Sequence, residues 1–144
     1  MIKVRVPATS ANLGVGYDCM GLALDDYATV TFEVIAHGLE ILGCEEAYCN
    51  EDNLFYQAFL EGLKYMNETV PGIRITVDTD IPYARGLGSS ATCIVAGLAG
   101  ANALFQNRMN RYELFDLATR MEGHPDNIAP AIFGGLCVSD RKSV

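Results

Sequence analysis

Pro82-Tyr83-Ala84-Arg85-Gly86-Leu87-Gly88-Ser89-Ser90-Ala91 is the stretch on which the fold turns, because of what flanks it. Upstream, residues 73–78 (IRITVD) alternate apolar with polar and predict a half-buried strand. Downstream, Ala91 to Phe105 is almost entirely small or apolar and predicts a buried helix. Glycines in the loop between them let backbone come close to a ligand. The unpaired N–H groups of the helix start, with the positive end of its dipole, suit an anion. A phosphate cradle is the natural use. The loop lacks the Lys-Ser/Thr ending of a Walker P-loop, so a nucleotide site here is of another kind. Ser89 and Ser90 stand where hydroxyls can reach phosphate oxygens or a magnesium ion. The plainer reading of the same residues is a Gly-Ser turn with a serine N-cap.

Working outward, Ile2, Val4 and Val6 alternate with Lys3 and Arg5, predicting a strand that Pro7 ends. Residues 27–35 (YATVTFEVI) predict a second long strand, and 39–43 a pairing partner for it after a His37-Gly38 turn, which gives an antiparallel opening. From Asn53 to Met66, apolar residues recur at helical spacing behind the acidic lead-in Glu51-Asp52. Asn110 and Glu113 form a capping pair for a later helix that Gly123 stops. Residues 131–138 (AIFGGLCV) predict a closing strand.

Composition narrows the function classes. A chain of 144 residues can bury one core, and its formal net charge of −8 speaks against a nucleic-acid binder, which needs basic patches. Residues 37–70 hold seven acids against Lys64 alone, so the rest is nearly balanced and can host a polyphosphate. No apolar run approaches the roughly 20 residues of a membrane span, and the N-terminus lacks a signal-peptide layout. A cytoplasmic protein without membrane partners is expected. The five cysteines are odd in number and scattered, and Cys44 and Cys49 find no completing ligand set with His37, so they are expected to be reduced thiols.

Two further clusters carry chemistry. Pro7-Ala8-Thr9-Ser10-Ala11-Asn12-Leu13-Gly14-Val15-Gly16-Tyr17-Asp18 packs amide, hydroxyl and carboxylate groups into a loop directly after a strand, with Asn12 and Asp18 the candidate ligand contacts. An Asx or ST turn with Gly14 and Gly16 at positive φ explains it equally well. Glu122-Gly123-His124-Pro125-Asp126-Asn127 gathers four side chains able to bind charge, protons or metal. Here the alternatives are a hydrogen-bonded structural histidine and a glutamate finishing a solvated helix face.

In this order and spacing, the three segments resemble the GHMP kinases. Pro82 to Ala91 is similar to the family's PxxxGLGSSA phosphate loop. The opening Pro7 to Asp18, Arg85 before the loop, and Glu122 to Asn127 resemble the homoserine kinases within it. The resemblance runs from Ile2 to about Val138. It implies an α+β fold like the second domain of ribosomal protein S5, with a β-sheet and helices packed on one side. The whole chain, 1–144, would be the N-terminal, ATP-binding domain, ending before a C-terminal domain that supplies arginines for the amino-acid carboxylate.

What the resemblance implies is transfer of the γ-phosphoryl group of ATP, with Mg2+, to the side-chain hydroxyl of L-homoserine, giving O-phospho-L-homoserine for threonine biosynthesis. Pro82, Tyr83, Ala84, Arg85, Gly86, Leu87, Gly88, Ser89, Ser90, Ala91 and Thr92 would wrap the phosphates, with Asn53 near the base. Ser90 and Glu122 would hold magnesium. Asn12 would sit near the accepting hydroxyl, and Asp18, His124 and Asn127 would bind the amino acid. Phosphoryl transfer depends mainly on positioning and charge neutralisation, so no strong base is expected, although Asp126 is the carboxylate candidate for one. Another GHMP kinase, such as a mevalonate or diphosphocytidyl-methylerythritol kinase, and a non-catalytic binding or assembly module are the rival readings. The apolar surface left by a missing second half predicts self-association, in its simplest form a homodimer.

Overall fold

The computed structural model describes residues 1–11, 21–79 and 89–140. Its sheet has five strands in the order β3-β4-β2-β1-β5, formed by β1 (Ile2–Ala11), β2 (Gly21–Ile35), β3 (Leu39–Leu42), β4 (Gly72–Thr79) and β5 (Cys137–Asp140). The helices α1 (Leu54–Met66), α2 (Ser89–Leu104), α3 (Arg111–Glu122) and α4 (Ile128–Phe133) cover one side. The result is the expected α+β layout.

Alternation dictates the sheet's two faces. Ile2, Val4 and Val6 on β1, Val30 and Phe32 on β2, and Ile73, Ile75 and Val77 on β4 are all buried towards the helices. Arg5 stacks over the Tyr27 ring, 3.8 Å from its centroid. Pro7 does not end β1. The strand stays paired with β2 to Ala11, with its register shifted between Pro7 and Thr9. A bulge is where a strand accommodates a residue without an N–H.

The strand at Leu39–Leu42 also departs from expectation, for it pairs with β4 in parallel and not with β2. β4 lies between them, matching Ala28 to Ile35 of β2 over eight residues, whereas β3 is four residues long and buries only Ile41. The longer alternating strand offers the larger apolar face and takes the inner place.

A third difference lies at 131–138. Residues 128–133 are helix α4, and the closing strand starts only at Cys137. Ile128, Ala131 and Ile132 are its buried residues, and their spacing is helical. A window opened at Ala131 cuts that pattern in half. Pro130 is tolerated because it lies in the first turn, where N–H groups have no partner within the helix.

Helix α2 is the axis of the core, packed on α1, the sheet, α3 and α4, so it is apolar on nearly every side. Small residues allow that closeness. A Cβ on Gly97 would fall on the carbonyl oxygen of Phe55 and 2.6 Å from the Cβ of Ala58, and one on Gly100 would fall on the Phe32 ring. Phe32 in turn stacks on Phe59 of α1 with centroids 5.7 Å apart. Asn102 clasps the chain leaving α2, donating to Met109 O at 2.9 Å and accepting from Met109 N at 2.8 Å. Asn110 and Glu113 form the expected capping box of α3, and Gly123 ends that helix at φ 96°. Among the described residues no helix is long and apolar enough to cross a membrane.

Candidate active site

Four element ends meet at one end of the sheet: the close of β1, the start of α2, the close of α3 and the start of α4. Polar contacts tie them together. Ser90 Oγ, in the first turn of α2, donates to Glu122 Oε1 at the end of α3 over 2.9 Å. Thr92 Oγ1 reaches the carbonyl oxygen of Pro7 on β1 at 3.4 Å. Thr9, fully buried on β1, donates through its hydroxyl to Asn127 Oδ1 at 2.8 Å. The chain closes three loops of very different length on the same spot, between residues 32, 85 and 118 positions apart.

The turn between α3 and α4 holds the charged groups. His124 Nδ1 is hydrogen-bonded to Asp126 Oδ1, and His124 Nε2 lies 4.0 Å from Glu122 Oε1. The side chain of Asp126 is 4% exposed, that of Glu122 13%, and the imidazole 49%. Asp126, the carboxylate candidate for a base, is thus nearly buried, with one oxygen engaged by the imidazole. Cys93, also on α2, is buried, which pushes its thiol up to about 12, with smaller contributions from Cys44 and Glu122. A thiol raised this far is protonated at neutral pH.

An oxygen pair at a helix start fits a hard cation. Ser90 and Glu122 offer a hydroxyl and a carboxylate oxygen side by side, the donor type that Mg2+ takes. Among the described residues no three His, Cys, Asp or Glu side chains are grouped to hold a metal. The first turn of α2 contains no acid of its own, so its N–H groups and dipole suit an anion, with the Glu122 carboxylate held beside them by Ser90.

Of the residues singled out in the sequence, Ser90, Thr92, Glu122, His124 and Asn127 are brought together here, with Ala91 buried beneath them. Ser89 is the first residue of α2. Asn12, Asp18 and the loop Pro82, Tyr83, Ala84, Arg85, Gly86, Leu87 and Gly88 lie outside the described residues. Asn53, which the resemblance puts near the nucleotide base, is the N-cap of α1. Its Oδ1 accepts from Phe55 N at 2.9 Å and Tyr56 N at 3.4 Å, while Nδ2 donates to Tyr48 O at 2.8 Å and approaches Cys44 Sγ at 3.9 Å. The oxygen end of the amide caps the helix and the NH2 end ties it to the segment before it. Thr9 is the residue that sequence reasoning missed as a participant, since only the bulged β1 register carries it to Asn127.

Known proteins share this sequence pattern and fold. Residues 53–135 match the N-terminal domain of the GHMP kinases. The chain belongs to the GHMP kinases. Among GHMP kinase relatives, it is 49% identical to a homoserine kinase of Clostridium botulinum (strain Eklund 17B / Type B) over 96% of this chain and 47% of the relative. A second, from strain 657 / Type Ba4, is 47% identical over 100% of this chain and 49% of the relative. The chain thus spans about half the length of the curated relatives it matches. A crystal structure of homoserine kinase from Cytophaga hutchinsonii superposes with a TM-score of 0.79 at 32% identity, covering 95% of this chain and 47% of that one. The Methanococcus jannaschii mevalonate kinase shares the fold, with a TM-score of 0.74 at 17% identity over 97% of this chain and 53% of that one.

Proposed function

We propose that this chain is the N-terminal domain, 1–144, of a two-domain homoserine kinase, which transfers the γ-phosphoryl group of ATP to the side-chain hydroxyl of L-homoserine. The observation that carries this reading is the Ser90–Glu122 contact at the start of α2, beside the His124–Asn127 turn. The curated relatives at nearly half identity over the whole chain are named homoserine kinases, which favours that substrate over mevalonate. ATP phosphates would lie against the N–H groups of the α2 start and the loop Pro82 to Gly88. Ser90 and Glu122 would hold Mg2+, which when bound neutralises phosphate charge. Asn127 and His124, with Asn12 and Asp18, would hold the amino acid so that its hydroxyl faces the phosphoryl group. The burial of Asp126 supports a mechanism of positioning and charge stabilisation without a dedicated base.

A net charge of −8 and two water-soluble substrates support a cytoplasmic enzyme acting without nucleic acid or membrane. Exposed Tyr112 and Phe133, whose ring centroids are 5.5 Å apart, support self-association of the isolated chain, with a homodimer its simplest form. The test joins this chain to the C-terminal half of the C. botulinum relative and follows 31P NMR spectra with ATP, Mg2+ and either L-homoserine or mevalonate. Formation of O-phosphohomoserine is the expected result. Turnover of mevalonate alone would refute the reading. Calorimetric titration of the isolated chain with a magnesium-ATP analogue then shows whether this half forms its phosphate cradle unaided.

A further inference from the structure

Behind the residues proposed to touch the amino acid lie two buried polar side chains, each bound to one of them. Thr9, fully buried, donates its hydroxyl to Asn127 Oδ1 at 2.8 Å. Asp126, with 4% of its side chain exposed, takes the Nδ1 edge of His124. A carboxamide has one accepting and one donating end. A donor seated on Oδ1 therefore turns the oxygen of Asn127 towards β1 and its NH2 group away from it. An ionised carboxylate only accepts, so Asp126 keeps a proton on Nδ1 of His124 and directs the Nε2 edge to the side of Glu122, 4.0 Å away.

We infer that Thr9 and Asp126 are positioning residues that decide which atoms Asn127 and His124 turn towards the acceptor alcohol. The inference rests on the reading that Asn127 and His124 bind that substrate, and deepens it by naming what sets their orientation. Orientation matters because an amide free to flip presents the wrong end half the time, and a site built on directed hydrogen bonds discriminates through them. Thr9 reaches Asn127 from the far end of the sequence and Asp126 reaches His124 from two residues away. The turn is thus held from both sides, by a strand and by itself.

Two measurements test this. The isolated chain has only two histidines, His37 and His124, so a His37→Gln variant assigns the ring nitrogens in 15N spectra. Asp126→Asn is expected to shift both ring nitrogens of His124 and leave those of His37 in place, and Thr9→Val to shift the side-chain NH2 pair of Asn127. Spectra unchanged at these groups would overturn the inference. In the chain joined to the C. botulinum C-terminal half, Thr9→Val should raise the KM for the alcohol about tenfold. The KM for ATP and kcat should stay within about twofold of the parent. Thr9→Ser, which keeps the donor, should restore the parent value. An unchanged alcohol KM in Thr9→Val, or an equal loss in Thr9→Val and Thr9→Ser, would also overturn it. If the parent phosphorylates a different alcohol from a panel and not L-homoserine, the substrate assignment fails, and the same KM comparison with that alcohol still decides the positioning role.

Discussion

The two ends of α2 are held by opposite physics. From Val95 to Ala101 the helix is locked by apolar contact with α1 and the sheet, and Gly97 and Gly100 leave just the room that this closeness needs. At Ser90 and Thr92 it is held by hydrogen bonds to Glu122 and Pro7, each to an element remote in sequence. Close packing is cooperative, and a methyl group in the wrong place is felt throughout. Isolated polar contacts are weak in stability but specific in direction. Rigidity is supplied at one end so that a charged, hydrated site can be kept in order at the other.

The largest effect that separates the ends is expected at Glu122. In the chain joined to the C. botulinum C-terminal half, Glu122→Gln should lower kcat about 1,000-fold, through lost charge stabilisation at the phosphoryl group. The urea midpoint of the isolated chain should barely move. A matching loss of stability would dissolve the distinction between the two ends. Next comes Gly97→Ala, which should destabilise the fold by about 3 kcal/mol because the obstructing atom is backbone and cannot rotate away. Urea denaturation measures this, and a midpoint equal to the parent's would mean that α1 and α2 can separate freely.

Asn53 sharpens the comparison at the far side of the core. Asn53→Ala should cost about 1–2 kcal/mol through loss of the α1 cap, and Asn53→Asp, which keeps the acceptor, should recover much of it. Nucleotide affinity of the folded protein should be unaffected in both, measured by calorimetry. The smallest effect is at Glu113, whose carboxylate is held below its ordinary range by the Tyr65 hydroxyl and by Asn110 N. A folded-state value below the unfolded one adds stability above the unfolded pKa, and that gain is lost as pH falls through the folded value. Thermal melts below neutral pH should therefore show a slightly shallower acid decline in Glu113→Gln than in the parent.

The same contrast explains what was legible in the sequence. Helix starts and stops were, because a cap acts within a few residues: Asn53, the Asn110–Glu113 box and Gly123 all stand where their residue types predict. So were the buried faces of β1, β2 and β4, since a period of two survives in any context with one covered side. The motif residues Ser90, Glu122, His124 and Asn127 were recognisable as types able to bind charge. Less was legible about partners. A strand's sequence states which face it buries and leaves its neighbour open, so β3 could be assigned to β2 until β4 was seen between them.

What the sequence by itself determined is the set of elements bounded by local chemistry, their apolar faces, and the family to which the chain belongs. The tertiary structure alone decided that 128–133 is a helix in front of the last strand, that Pro7 sits at a bulge and not at an end, and that Thr9 lies behind Asn127. The physical reason is range. Caps and periodicities are set by neighbours along the chain, whereas strand order and the Thr9–Asn127 bond, between residues 118 positions apart, depend on where the whole sheet carries each end.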